Sequence, residues 1–311
     1  MIRVQNLIKR FEQFTAVNNL SFDVSPGEVL GFLGPNGAGK STTMKMITGF
    51  IEPSQGQVSV FDVDVTKDPQ SAQKIMGYLP EGAPAYGEMT VIAFLRFIAK
   101  VRGLHGEEAE QRLNTVIQQV ELEPVLNKTI ETLSKGFARR VGLAQAIIHD
   151  PKILILDEPT DGLDPNQKHH VRELIKGLAK DKIVIISTHI LEEVTAVCTR
   201  ALIISEGKLL LDGKPEELER KSRHHNAVCL QLEDHQTNAQ EALASINGIE
   251  SVELVGDEDD RTYMLFPENG QMLLPEVVRW LDEKQWAVEN IHLEKGRLDD
   301  VFRQVTRAQT V

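Results

Sequence analysis

Gly34-Pro35-Asn36-Gly37-Ala38-Gly39-Lys40-Ser41-Thr42 fits the phosphate-cradling pattern GxxxxGK[ST]. Its glycines let the main chain turn tightly and aim several N–H groups at phosphate oxygens, and a helix opening at the lysine adds the partial positive charge of its N-terminus. Gly34, Asn36, Gly37, Ala38, Gly39 and Thr42 then frame a triphosphate, while Lys40 reaches its β- and γ-phosphates. The Ser41 hydroxyl is placed to bind Mg²⁺, a hard cation that takes oxygen ligands. The chemistry implied is that of a nucleoside triphosphate. The flanks agree: the apolar stretch Glu28-Val29-Leu30-Gly31-Phe32-Leu33 reads as a buried strand, and apolar residues at helical spacing follow Ser41 as far as Ile47.

Two further stretches carry charge chemistry. Ile153-Leu154-Ile155-Leu156-Asp157-Glu158 is an apolar strand ending in two carboxylates. At a strand end beside the phosphate loop, Asp157 binds Mg²⁺ directly or through water, and Glu158 acts as general base or water-positioning group. In Leu133-Ser134-Lys135-Gly136-Phe137-Ala138-Arg139-Arg140, Ser134 is a favoured N-cap, Gly136 permits close main-chain approach, and the helix start is a natural anion site.

Because that stretch lies just ahead of the Asp157-Glu158 strand, it resembles the LSGGQ-type signature of ABC ATPases. The resemblance implies that the triphosphate is ATP, and that Ser134 and Gly136 meet the γ-phosphate bound by an opposite subunit. It also assigns four positions in order along the chain. Phe11, in Ile8-Lys9-Arg10-Phe11, matches the aromatic residue that stacks on adenine, although Phe11 or Phe14 equally suits the core. Asp164, in Gly162-Leu163-Asp164, matches the D-loop. His189, in Ser187-Thr188-His189, matches the switch histidine at the γ-phosphate. In Gly77-Tyr78-Leu79-Pro80-Glu81, Glu81 replaces the family's usual glutamine, leaving an oxygen for Mg²⁺ or water but adding negative charge near the triphosphate. Lys135 and Phe137 also depart from the signature. The lysine either strengthens attraction to phosphate or points to solvent. Both departures bear on turnover rather than on nucleotide binding.

These residues need a scaffold. Short strands are expected at 2–7, 16–24, 28–33 and 57–61, and they resume at 152–156, 183–187 and 201–205, separated by helices, so the core reads as an α/β sheet with parallel strands. Between 89 and about 148 the pattern turns helical, through Val91, Ile92, Leu95 and Ile98, then Leu113, Val116, Ile117 and Val120. It reads as a helical subdomain, about 86–150, inserted into a P-loop ATPase domain spanning 1–221. A polar charged stretch around 219–225 marks the linker to an accessory domain, 222–311, whose strand, helix, strand, strand, helix, strand order fits a ferredoxin-like α+β sandwich.

Composition narrows the class. The chain has 311 residues, a net charge of −12 and an ordinary hydrophobic fraction of 41%. From 222 onward, 8 Lys and Arg stand against 17 Asp and Glu, so the tail alone carries −9. That acidity argues against nucleic-acid binding and against a direct lipid anchor. There is no signal peptide or run of about 20 apolar residues, so the reading places the chain in the cytoplasm. Cys198 and Cys229 read as buried filler in a reducing compartment. His169, His170, His224 and His225 read as solvated.

With one cassette per chain, a γ-phosphate gripped from two cassettes implies a second copy, as a head-to-tail homodimer or as two copies within a larger complex, closed by ATP and opened by hydrolysis. Arg297-Leu298-Asp299-Asp300-Val301-Phe302 resembles the Leu-Glu-Asp-Val-Phe ending of exporter-type ABC ATPases whose permease is a separate polypeptide, or is simply an amphipathic helix. The expectation is therefore an ATP-hydrolysing subunit peripheral on the inner face of the cell membrane through an integral membrane permease, with the segment 81–90 as lever. The alternative is a soluble ABC ATPase acting on ribosomes or DNA. Cargo contacts would belong to the permease.

Overall fold

A computed structural model describes residues 1–82, 86–255 and 261–307. Ala85, part of the expected lever, lies outside the described residues. The chain forms two compact units, 1–214 and 215–311.

In the first unit β1 (Ile2–Phe11) and β2 (Phe14–Val24) form a hairpin; β3 (Val29–Leu33), α1 (Lys40–Ile47), β4 (Gln55–Val60), β5 (Val63–Asp64), α2 (Pro69–Lys74) and β6 (Met76–Leu79) follow. Three helices come next: α3 (Val91–Val101), α4 (Gly106–Gln119) and α5 (Lys135–Ile147). The unit closes with β7 (Ile153–Asp157), α6 (Pro165–Leu178), β8 (Ile183–Thr188), α7 (Leu191–Val197), β9 (Arg200–Ser205) and β10 (Lys208–Gly213).

These strands make two sheets. The larger has the order β10-β9-β3-β8-β7-β6, parallel except for β10 at its edge. The strands at 2–11, 14–24 and 55–60 do not join it. They form a separate antiparallel sheet, β2-β1-β4-β5, because a tight hairpin can only reverse the chain, whereas parallel neighbours need a crossover. Both faces of the parallel sheet are covered, which is why its strands read as unbroken apolar runs. On β7, Leu154 and Leu156 pack with Phe94, Leu113 and Val141 of the helical side, while Ile153 and Ile155 pack with Met44 of α1 and with Val4 and Leu20 of the antiparallel sheet. Helix α5 lies close on β6: a Cβ added to Gly77 would overlap the Ala146 carbonyl oxygen.

The second unit opens with α8 (Pro215–Glu219), ahead of the boundary expected at 221. β11 (Val228–Leu232), α9 (Ala239–Ala244), β12 (Ile249–Val255), β13 (Thr262–Pro267), α10 (Leu274–Lys284), β14 (Val288–Leu293) and α11 (Leu298–Arg307) complete it. The sheet order β12-β13-β11-β14 is antiparallel throughout, the ferredoxin-like arrangement. Two of the histidines expected to be solvated have protein partners, and of these His224 is mostly buried while His170 keeps part of its ring open to solvent. His224 Nδ1 lies 2.5 Å from Asp300 Oδ2 with its ring edge-on to Phe266, and His170 Nε2 lies 2.9 Å from the Gln119 carbonyl oxygen. Helix spacing alone could not foresee either partner, since both are distant in sequence.

Candidate active site

Four neighbouring strands deliver the candidate groups to one edge. The register pairs Leu33 with Thr188, Asp157 with Ser187 and Leu79 with Leu156. The residues after β3, β8, β7 and β6 therefore emerge side by side at the carboxyl end of the parallel sheet, where such sheets bind ligands. They are the loop 34–39, His189, Glu158 and Pro80-Glu81.

Gly39 caps α1 with φ of 100°, a left-handed conformation, and a Cβ there would stand 2.5 Å from the Ala16 carbonyl oxygen of β2. Only glycine satisfies both constraints. Having no side chain to cap the helix, it leaves the first-turn amides of α1 for an anion. Lys40 is buried, and its ammonium donates to the carbonyls of Gly34 at 2.7 Å and Pro35 at 3.1 Å. Burial lowers its pKa, opposed by the charges of Glu158, Asp157 and Glu81, which puts all three carboxylates within its electrostatic reach.

Asp157 is 1% exposed. One of its oxygens accepts the Ser187 hydroxyl, while Oδ2 is buried with no partner among the described residues. A buried carboxylate oxygen with no donor is costly, and a divalent cation would satisfy it. The donor set of Ser41 hydroxyl, Asp157 and Glu81 oxygens is all oxygen and anionic, which fits Mg²⁺. Beside it the Tyr78 hydroxyl is also buried with no partner among the described residues, its pKa raised by burial and by Asp157.

Glu158 sits at φ of 53°, an uncommon conformation for a residue with a Cβ and one that surrounding structure must hold. Its N–H donates to the Ser187 carbonyl at 3.0 Å, and both carboxylate oxygens lie 2.9 Å from His189 Nδ1. Burial raises the Glu158 pKa, and the His189 hydrogen bond opposes that rise. The remaining grip comes from Arg139, 5% exposed, which donates through Nε at 2.9 Å and Nη2 at 2.7 Å to the Glu158 carbonyl. Its Nη1 donates to the carbonyls of Pro80 at 2.7 Å and Gly82 at 3.3 Å. One buried guanidinium thus ties the ends of β6 and β7 together. Sequence reading missed Arg139; the available signal was a cation interrupting the apolar face of α5. It also missed Glu193, 4% exposed, which accepts the Thr160 hydroxyl and the Thr188 hydroxyl, the latter at 2.9 Å, on either side of the Glu158 and His189 pair.

The other predicted residues form a second group. Ser134 caps α5, accepting the Phe137 N–H at 3.4 Å, and Asp164 caps α6, accepting the Gln167 N–H at 2.9 Å. Gly136 packs against Gly162, Leu163 and Gln167, so signature and D-loop are neighbours. Helix α5 rests on β6, three strand spacings or about 14 Å from β3, and Ser134 lies five residues, about 7.5 Å of helix, beyond Arg139. Within one protomer the P-loop, Asp157, Glu158, His189 and Glu81 converge, while Ser134, Gly136 and Asp164 gather at the starts of α5 and α6. Phe11 and Phe14 are 46% and 62% exposed, so neither is a core residue; Lys9 Nζ lies 5.1 Å from the Phe11 ring centroid.

The ABC transporter family model matches residues 17–161. The uncharacterized ABC transporter ATP-binding protein YxlF of Bacillus subtilis is 30% identical over 310 residues, which span 99% of this chain and 100% of that protein. Nod factor export ATP-binding protein I of Rhizobium etli is 36% identical over 218 residues, 70% of this chain and 69% of that one. ABC transporter A family member 1 of Dictyostelium discoideum is 37% identical over 206 residues, 66% of this chain but only 24% of that longer protein. Among solved structures, the ATP-binding subunit of an ABC transporter superposes with a TM-score of 0.66 at 31% identity, covering 71% of this chain and 92% of that one. A dimeric bacterial ABC transporter cassette, 24% identical, shares the fold with a TM-score of 0.64 over 69% of this chain and 99% of its own.

Proposed function

The chain belongs to the ABC transporter family, as an ATP-binding protein, and from that premise we propose that it powers a membrane exporter by ATP-driven pairing and hydrolysis-driven opening. The observation that carries this reading is the division of the site: phosphate loop and carboxylates on one group of elements, Ser134 and Gly136 on another. A second copy related by a two-fold axis would bring its Ser134 and Gly136 to the triphosphate held here.

In this reading Lys40 and the amides of 34–42 bind the β- and γ-phosphates, and exposed Phe11 stacks on adenine. Ser41, Asp157 and Glu81 would hold Mg²⁺, which supplies neutralisation of phosphate charge when bound. Leaving its carbonyl clamps, the Lys40 ammonium exchanges neutral acceptors for anionic ones, a stronger bond. Glu158 accepts the proton of the attacking water, and His189, held on its carboxylate, orients it and senses the γ-phosphate. Arg139 keeps the Glu158 main chain in place while this happens. Closure of the pair excludes water; loss of the γ-phosphate removes the bridging contacts and reopens it.

The partner is an integral membrane permease encoded separately, and the segment 81–90 transmits closure to it. Among the described residues no helix is long and apolar enough to cross a membrane, so the chain would reach the inner face of the cell membrane through that permease. The export named for the Rhizobium etli relative and the Arg297–Phe302 tail support efflux rather than uptake. The test is ATPase activity of Glu158→Gln, with capture of partners from detergent-solubilised membranes. Turnover should fall roughly 100-fold or more while ATP binding persists, and the co-purifying polypeptide should carry several apolar spans of about 20 residues. Unchanged turnover, or partners limited to ribosomal proteins, would overturn it.

A further inference from the structure

The second unit places three metal-ligating side chains together on the sheet face opposite its main core. Val228, Leu230 and Leu232 of β11 point into that core, so Cys229 points the other way, and its register partner on β14 is His292. Directly opposite residues on antiparallel strands hold their Cβ atoms roughly 5 Å apart. Glu294 lies two residues beyond His292 and therefore shares its face. The Cys229 sulfur, a His292 ring nitrogen and a Glu294 carboxylate oxygen all lie within 4.8 Å of one another, with Cys229 and Glu294 half-buried and His292 open to solvent.

We propose that Cys229, His292 and Glu294 form a Zn²⁺ site, with water as fourth ligand. One thiolate, one imidazole and one carboxylate is a borderline-soft donor set of the kind Zn²⁺ takes in tetrahedral sites, and it differs from the all-oxygen set around Asp157 that suits Mg²⁺. The exposed side of His292 is the entry path. Two existing contacts must yield: His292 Nε2 lies 3.6 Å from Glu294 Oε1, and Arg297 Nη2 lies 3.2 Å from Glu294 Oε2. Both are partly solvated pairs worth little, and Arg297, at the edge of the site, can swing to solvent. The ion would clip edge strand β14 to central strand β11.

The full-length chain, freed of metal by a chelator and kept reduced, is titrated with Co²⁺, whose spectrum reports its ligands. The expected result is one equivalent giving a thiolate-to-cobalt charge-transfer band with the visible bands of tetrahedral cobalt, bleached by Zn²⁺. Oxygen ligands at Asp157 and Ser41 cannot produce the thiolate band, so cobalt bound there is distinguished. Cys229→Ser should abolish the band, Cys198→Ser should leave it, and His292→Ala should weaken binding roughly tenfold or more. A far-UV circular dichroism spectrum and a urea unfolding transition matching the parent's establish that each variant is folded. No thiolate band at excess Co²⁺, or a band that survives Cys229→Ser, overturns the proposal.

Discussion

Arg139 holds the main-chain carbonyl of Glu158 with two nitrogens, at 2.9 and 2.7 Å, while its third nitrogen holds Pro80. The residue proposed to activate water is therefore fixed from the helix that carries the signature, and through the same guanidinium to the strand that leads into the helical insertion. A charged donor with planar, forked geometry suits this task better than a point charge.

Replacing that fork should damage chemistry more than binding. Charged hydrogen bonds are worth about 1.5–3 kcal/mol each in net terms, so Arg139→Met is expected to lower kcat at least about tenfold. KM for ATP should move little, because the hydrogen bonds of Arg139 run to the carbonyls of Glu158, Pro80 and Gly82, and Arg139→Lys should fall between variant and parent. Steady-state ATPase kinetics check this; an unchanged kcat in Arg139→Met would show that Glu158 keeps its place unaided.

Gly77 is where α5 meets the sheet. Gly77→Ala would drive a methyl group into the Ala146 carbonyl oxygen and toward Leu154 Cδ2 at 2.9 Å, and backbone cannot yield cheaply. Overpacking of this kind costs about 1–3 kcal/mol. Thermal unfolding should shift down by several degrees, and ATPase activity should fall as Arg139 moves with the helix. A melting temperature equal to the parent's would mean the helix sits farther from β6 than described.

Acid sensitivity should come partly from His149. Its Nε2 lies 3.1 Å from the Met76 carbonyl oxygen and its Nδ1 is buried with no partner among the described residues. Burial first, then the charges of Arg102 and Arg112, pushes its pKa down to about 4. Between that value and the ordinary 6.5 the unfolded chain binds a proton that the folded chain refuses, so stability falls as pH drops through this window. His149→Gln, which retains a donor for Met76, should flatten that slope. Urea unfolding at a series of pH values measures it, and equal slopes in parent and variant would exclude His149 as a source.

Much of this was legible locally. The phosphate loop, the Asp157-Glu158 strand end and the helix start at Ser134 are continuous stretches whose residue types dictate their geometry, and the α+β order of the second unit followed from period and turn signals. What the sequence did not disclose is non-local. Nothing in the strands at 2–11, 14–24 and 55–60 says that they leave the parallel sheet, and the left-handed Glu158 is imposed by contacts with Ser187 and Arg139. Arg139 and Glu193 were overlooked for the same reason: their partners are brought to them only when β6, β7 and β8 align.

The central claim is that one protomer holds an incomplete nucleotide site. Light scattering of purified Glu158→Gln, with and without saturating ATP and Mg²⁺, tests it most directly. The account predicts the mass of a single chain without nucleotide and twice that mass with it, the doubling abolished by an added Ser134→Arg substitution; a monomer at saturating ATP would contradict it.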